Sequence, residues 1–188
     1  MMQRTAETSP RFKARTTGAA YLFYFLTAIF AQLLVNHGFA LYGLTANLIA
    51  TAFYIGLTLL FYFMFKPVNK SLSLVAALFS LVGCAITALN LFNLAAQVSP
   101  LLFFGPYCLL IGYLILRSIF LPRFLGVLMV LAGLGWLIFL TLPPTSHLSG
   151  YLEALGILGE GLLMLWLLVM GVNAERWREQ ASAVKSRS

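Results

Sequence analysis

Six long apolar segments follow one another along the chain, separated by short polar connections. Each approaches the roughly 20 apolar residues that a helix needs to cross a hydrocarbon layer about 30 Å thick. Stretches such as Leu162 to Met170 lack the alternating pattern of a membrane β-strand. We therefore predict an all-α fold of six transmembrane helices in up-and-down order. The predicted spans are residues 17–36, 44–65, 71–97, 100–116, 124–142 and 151–172.

Composition indicates that lipid surrounds these helices. The chain is 61% hydrophobic and 9% charged, whereas an average soluble domain is about 45–50% apolar and about 25% charged. So few charges cannot cover a water-facing surface. A disordered chain is excluded as well, because disordered segments are poor in apolar residues. We expect a transmembrane domain at residues 17–172, between polar tails at 1–16 and 173–188. The first apolar run has no convincing cleavage site, so we interpret it as a retained span.

The basic residues predict the orientation, because Lys and Arg near span ends favour the cytoplasmic side. All twelve lie in the two tails or in the connections after the second and fourth spans. An odd number of spans would destroy this partition, so we predict six spans with both termini cytoplasmic. The net charge of +7 is then a topology signal, and we expect no nucleic-acid partner. The residues are Arg4, Arg11, Lys13, Arg15, Lys66, Lys70, Arg117, Arg123, Arg176, Arg178, Lys185 and Arg187.

A weak internal repeat joins the starts of the first, third and fifth spans. Three tandem helical hairpins would produce it, as parallel repeats do in some transporters. Hairpins of ordinary length with basic residues on one side would produce it as well, so both interpretations stay open. The similar stretches are Arg15-Thr-Thr-Gly18, Lys70-Ser-Leu-Ser73 and Arg123-Phe-Leu-Gly126.

Segments spread over nearly the whole chain resemble one protein family, the bacterial membrane family known as domain-of-unknown-function family 4386. The resemblance implies a multi-pass protein of the bacterial inner membrane and no particular activity. The connection between the third and fourth spans is shorter here than is usual in the family. The segments that carry the resemblance are Ala14–Gly18 with Tyr21-Leu22, Lys66–Ser80, Leu121–Gly135, Gly159-Glu160 and Leu165–Gly171.

Glu160 is the main candidate for function, because it lies midway along the sixth span. An ionisable side chain at that depth costs about 2.5–3.5 kcal/mol on insertion scales. The alternative is a structural hydrogen bond to a neighbouring helix, for which Thr87, Asn90 and Tyr54 are the expected partners. Glu153 lies about two turns earlier on the same face. It is either part of the same site or a solvated residue near the outer end.

Uncharged amides collect in the outer halves of the spans. Asn90 and Asn93 are three residues apart and so are expected on one helix face, and Gln32 and Asn47 lie at similar depth in the first two spans. If these side chains converge, they line an outward-facing polar cleft with Glu160 at its floor. Otherwise they join helices in pairs, at typically about 0.6 kcal/mol each.

Small residues predict where helices approach closely. The third span has one every four residues and the fifth has three glycines, from which we expect the third helix to be central. Cys84 and Cys108 have no CxxC or Cys/His spacing around them, so we expect no metal site and no cofactor. The small residues are Ala76, Ser80, Cys84 and Ala88, with Gly126, Gly133 and Gly135.

Three functions are compatible with these features. We favour a non-enzymatic membrane protein, either structural, accessory or partner-binding, whose partners are the lipid bilayer and other membrane subunits. The alternative is a small transporter or channel that uses the outer cleft and Glu160. An intramembrane enzyme acting on a lipid or quinone, with Glu160 as acid or base, is the least favoured because no nucleophile or metal set accompanies it.

Overall fold

The computed structural model describes residues 9–94, 98–142 and 147–185. Seven α-helices and no β-strand lie within these ranges, which confirms the predicted all-α fold. The helices are α1 (Pro10–Asn36), α2 (Ala40–Phe65), α3 (Lys70–Leu91), α4 (Leu101–Arg117), α5 (Arg123–Phe139), α6 (His147–Val169) and α7 (Ala174–Lys185).

The first six helices form a closed ring. Each packs against the next one in the chain, and α1 packs against α6 to complete the circle. Helices α4 and α5 approach closely: a methyl group on Gly112 would lie 2.8 Å from the carbonyl oxygen of Gly126, and one on Gly133 would lie 2.8 Å from that of Gly105. Within the described residues α3 packs against α2 and α4 like any other member of the ring and no helix occupies the middle, so the expectation that α3 is central is wrong.

Four of these helices are long and apolar enough to cross a membrane, namely α1, α2, α3 and α6. Helices α4 and α5 are apolar but have 17 residues each. The structure thus agrees with membrane insertion. Helix α1 begins at Pro10, inside the segment expected to be a polar tail. There the Ser9 hydroxyl accepts a 3.2 Å hydrogen bond from the Phe12 amide, and Pro10 occupies the first turn, where its missing N–H costs nothing.

Helix α3 ends at Leu91, six residues before the end of the predicted third span. Asn93 adopts a left-handed backbone conformation (φ 58°) that stops the helix. The amides of Asn93 and Leu94 donate to the carbonyls of Asn90 and Leu89, at 3.0 Å each, which is a Schellman ending. Asn90 and Asn93 are therefore not neighbours on one helix face, and that prediction is wrong.

Helix α7 lies against one end of the ring, where the C-terminal tail was expected. Trp177 Nε1 donates to the Met64 carbonyl (3.0 Å), and Gln180 Oε1 accepts from the Ile119 amide (3.2 Å). The end of α2 and the end of α4 therefore lie at the same end of the ring as α7. We call this the basic end, because it carries Arg11, Lys13, Arg15, Lys66, Lys70, Arg117, Arg123, Arg176 and Arg178.

Candidate functional site

Glu160 lies on the face of α6 that points into the ring. Residues three or four apart share a helix face, and Gly156, Leu163 and Leu167, at that spacing around Glu160, are all buried. Gly159 beside them packs against α5, since a methyl group on it would lie 2.9 Å from the Leu128 carbonyl oxygen. Close packing of α6 on α5 thus brings a partly buried carboxylate to the centre of the bundle.

Three side chains from three other helices donate hydrogen bonds to this carboxylate. The Tyr21 hydroxyl of α1 donates to Oε2 (2.6 Å), and Trp136 Nε1 of α5 donates to Oε1 (3.1 Å). The Cys108 thiol of α4 also donates to Oε1, at 3.8 Å from Sγ. Glu160 therefore joins four of the six helices of the ring through direct side-chain contacts. We call these four residues the Glu160 cluster.

The partners of Glu160 differ from those expected from the sequence. The Thr87 hydroxyl donates to the Gly83 carbonyl of its own helix (2.9 Å), as threonine commonly does inside a helix. The Asn90 amide donates to the Val98 carbonyl (3.0 Å), in the connection to α4. Both residues belong to α3, which does not pack directly on α6. Tyr54 does reach the centre, but through ring contacts.

Four tyrosines in ring contact form what we call the tyrosine group: Tyr21, which also belongs to the Glu160 cluster, Tyr24, Tyr54 and Tyr107. Tyr54 connects them, with its ring centroid 4.6 Å from that of Tyr24, 6.2 Å from Tyr107 and 6.4 Å from Tyr21. The hydroxyls of Tyr24, Tyr54 and Tyr107 form no hydrogen bond with any residue that the structure describes. The sequence offered no signal for this group, because aromatic residues are common throughout an apolar helix.

Polar contacts continue across the ring toward α3. The hydroxyls of Thr58 in α2 and Ser80 in α3 are 2.5 Å apart and buried. Cys84, one turn beyond Ser80, is a buried free thiol, as is Cys108. Among the described residues, no three His, Cys, Asp or Glu side chains lie close enough to hold a metal ion.

Two of the predicted cleft residues, Gln32 and Glu153, are exposed and form no hydrogen bond with Glu160. Gln32 is exposed near the end of α1 and donates to Asn36 Oδ1 (3.1 Å). Glu153 is exposed on α6, so the shared helix face does not bring it into the ring. At this level α6 still packs on α5, since a methyl group on Gly135 would lie 3.5 Å from the Leu152 carbonyl oxygen, but the Glu153 side chain is on the exposed side of the helix.

The remaining cleft candidates bond to nearby backbone. Asn47 is half-buried and donates to the Gly43 carbonyl (2.9 Å). Asn90 is half-buried, with Oδ1 buried and unpaired. Asn93 is exposed in the turn after α3. None of the three forms a hydrogen bond with Glu160, and an outward-facing cleft that contains them stays a prediction.

Comparison with known proteins shows which family this chain belongs to. The family model described as "Domain of unknown function (DUF4386)" matches residues 36–101 and 95–171. The chain belongs to this family. The resemblance predicted from sequence is thus confirmed, and this DUF4386 protein has the Glu160 cluster largely within the matched region.

One relative is similar over a large part of its length. It is a protein of Archaeoglobus fulgidus, 36% identical over 120 residues, which cover 58% of this chain and 72% of the relative. Its description is "Uncharacterized protein", so it suggests no activity. No solved structure matches the DUF4386 protein significantly. What the protein does must therefore be argued from its own residues.

Proposed function

We propose that this DUF4386 protein crosses the bacterial inner (plasma) membrane six times, with both termini on the cytoplasmic side. The closed ring of six apolar helices supports this topology. Helices α4 and α5, with 17 residues each, extend about 25 Å and so come within the range of roughly 17–25 residues seen for spans. The basic end supports the orientation, because Lys and Arg collect at the cytoplasmic ends of spans.

Within that membrane we propose a non-enzymatic role, as an accessory or partner-binding subunit. The observation that carries this proposal is the direct bonding of Glu160 to Tyr21, Cys108 and Trp136. A carboxylate that accepts hydrogen bonds from three other helices holds the ring closed, which is the role expected of a structural connection. The intramembrane ionisable residue that suggested catalysis or transport is then a structural connection. Partners would bind to the outer surface of the ring.

The test compares stability with transport in purified protein. Glu160→Ala leaves the Tyr21 and Trp136 donors unpaired inside the bundle, and such a loss typically costs about 1–3 kcal/mol. We expect a lower melting temperature for this variant in detergent. We also expect wild-type proteoliposomes to match empty liposomes in proton flux, followed with an internal pH dye under a valinomycin-imposed potential.

Partner binding is tested separately, by mild-detergent purification from the native membrane after cross-linking. We expect a membrane protein in fixed stoichiometry with the chain, absent when an unrelated six-span protein is the bait. Recovery of the isolated chain alone from cross-linked membranes would contradict the accessory role.

A second candidate, a transporter of protons or small organic cations, is favoured by one specific observation. Glu160 forms no ion pair with any described residue, and the hydroxyls of Tyr24, Tyr54 and Tyr107 in the tyrosine group form no hydrogen bond within that part of the chain. Aromatic faces within about 6 Å attract a cation, and a carboxylate beside them would complete a site. Uptake of tetramethylammonium or a proton flux, either of them above that of empty liposomes, would support this candidate if Glu160→Gln abolished it in folded protein. The same result would overturn the structural role of Glu160.

A further inference from the structure

A cavity of about 600 Å³ opens at the basic end, outside the Glu160 cluster. Its walls come from three places in the chain: the start of α1, the connection between α4 and α5, and the connection between α6 and α7. The lining consists of Arg11, residues 119–122, Trp166 and residues 170–176. It therefore lies where the apolar helices end and the charged segments begin.

The charged side chains of this cavity are mainly basic. Arg11 and Arg176 line it, together with a single acid, Glu175. The Arg11 side chain forms no hydrogen bond or ion pair with a described residue, whereas Arg176 Nη1 donates to the Ile119 carbonyl (3.4 Å). Guanidinium groups favour phosphate, because their planar N–H donors match its oxygens in pairs.

Gly171 allows the two connections to approach α1 closely. Its left-handed backbone (φ 70°) turns the chain from α6 into α7. A methyl group on it would lie 3.2 Å from Cγ of Arg11 and 3.6 Å from Cγ of Arg15. Arg15 Nη2 donates to the Val169 carbonyl (3.0 Å), which adds a third positive charge beside the cavity.

An apolar groove of about 200 Å³ continues from the cavity along the outside of α5 and α6. Trp166 and Met170 line both spaces, so the groove and the cavity meet at these side chains. The other groove residues are apolar and several are half-exposed, which means that they face the lipid. They are Phe124, Leu125, Leu162, Leu165 and Val169.

We propose that the cavity and the groove together bind one anionic phospholipid. Its phosphate lies between Arg11 and Arg176, and one acyl chain follows the groove past Trp166 toward Leu162. The positive charge of the cavity matches the phosphate of the lipid, and the apolar groove matches its acyl chain. Tryptophan is typical of the depth at which headgroups meet acyl chains. The proposal requires membrane insertion only, and it does not depend on the role of Glu160.

The test uses native mass spectrometry of the detergent-purified chain with added phosphatidylglycerol or phosphatidylcholine. We expect wild-type protein to retain phosphatidylglycerol in preference to phosphatidylcholine. Arg11→Gln with Arg176→Gln should weaken phosphatidylglycerol binding by roughly 30-fold, since each basic residue near a membrane surface contributes about a factor of five. Lys70→Gln with Arg178→Gln removes the same charge from the same end but outside the cavity, and should leave the affinity within about threefold of wild type.

Quenching of tryptophan fluorescence locates the acyl chain. Phosphatidylglycerol with brominated acyl chains should quench wild-type protein more than Trp166→Phe, after correction for the remaining two tryptophans. Equal binding of both lipids, equal losses in the two double variants, or displacement of the lipid by inorganic phosphate at the affinity of the lipid itself would overturn the proposal. Melting temperatures of the variants within a few degrees of wild type establish that the lost binding is local.

Discussion

The hydroxyl of Tyr21 donates a 2.6 Å hydrogen bond to Oε2 of Glu160, 139 residues later in the chain. Tyr21 is 1% exposed and belongs to the first helix, while Glu160 belongs to the sixth. The bond therefore lies where the ring of helices closes. Because Tyr21 is almost completely buried, its hydroxyl depends on Glu160 as its hydrogen-bond acceptor.

Tyr21→Phe should destabilise the protein by about 0.6 kcal/mol, the average for hydrogen bonds between membrane helices, and by no more than about 1.7 kcal/mol, the largest value for such bonds. The matched control is Tyr24→Phe, one turn along the same helix, because the Tyr24 hydroxyl forms no hydrogen bond with a described residue. Unfolding in mixed micelles with increasing SDS measures both. Equal losses for the two variants would show that the Tyr21 hydroxyl contributes nothing through Glu160.

Trp136→Phe and Glu160→Ala should be coupled, since Trp136 Nε1 donates to Glu160 Oε1 at 3.1 Å. In the wild-type background Trp136→Phe loses both this bond and some packing, whereas in the Glu160→Ala background only the packing loss remains. A double-mutant cycle compares the loss of unfolding free energy caused by Trp136→Phe in the two backgrounds, and the two losses should differ by about 0.5–2 kcal/mol. Strict additivity would mean that the bond is absent in the folded protein.

Gly112→Ala should loosen the contact between α4 and α5. The added methyl group would lie 2.8 Å from the Gly126 carbonyl oxygen and 2.8 Å from the Val130 amide nitrogen, both of which are backbone atoms that cannot move alone. We expect a loss of about 1–3 kcal/mol, typical of overpacking. Gly56→Ala is the control, since its methyl group meets nothing within 4 Å. There alanine should be neutral or stabilise α2 by up to about 1 kcal/mol.

The proposed orientation predicts opposite labelling of the two ends of the ring. His37 is exposed between α1 and α2, and Ser182 is exposed on α7 at the basic end. A membrane-impermeant maleimide should label His37→Cys on intact cells, and should label Ser182→Cys only after permeabilisation. The native thiols do not interfere, because Cys84 and Cys108 are buried. Labelling of both positions from outside would contradict six spans with cytoplasmic termini.

The sequence contains local signals for the start of α1 and for the end of α3. The Ser9-Pro10 pair is a helix start that can be recognised from sequence alone, since serine caps the first amides and proline suits the first turn. Asn93 is likewise one of the few residue types that readily adopt the left-handed conformation. The predicted spans follow hydropathy instead. Because hydropathy is averaged over some twenty residues, it does not indicate the residue at which a helix begins or ends.

The sequence by itself determined the helical class, the family, and Glu160 as the exceptional residue, because each depends on the order of residue types along the chain. Only the tertiary structure decided what Glu160 contacts. Tyr21, Cys108 and Trp136 come from three other helices, and their meeting depends on the order of the ring and on how each helix is rotated within it. Because these helices carry apolar side chains on every face, the sequence does not indicate how each helix is rotated. Close glycine contacts, such as that of Gly112 with Gly126, help to fix the rotation.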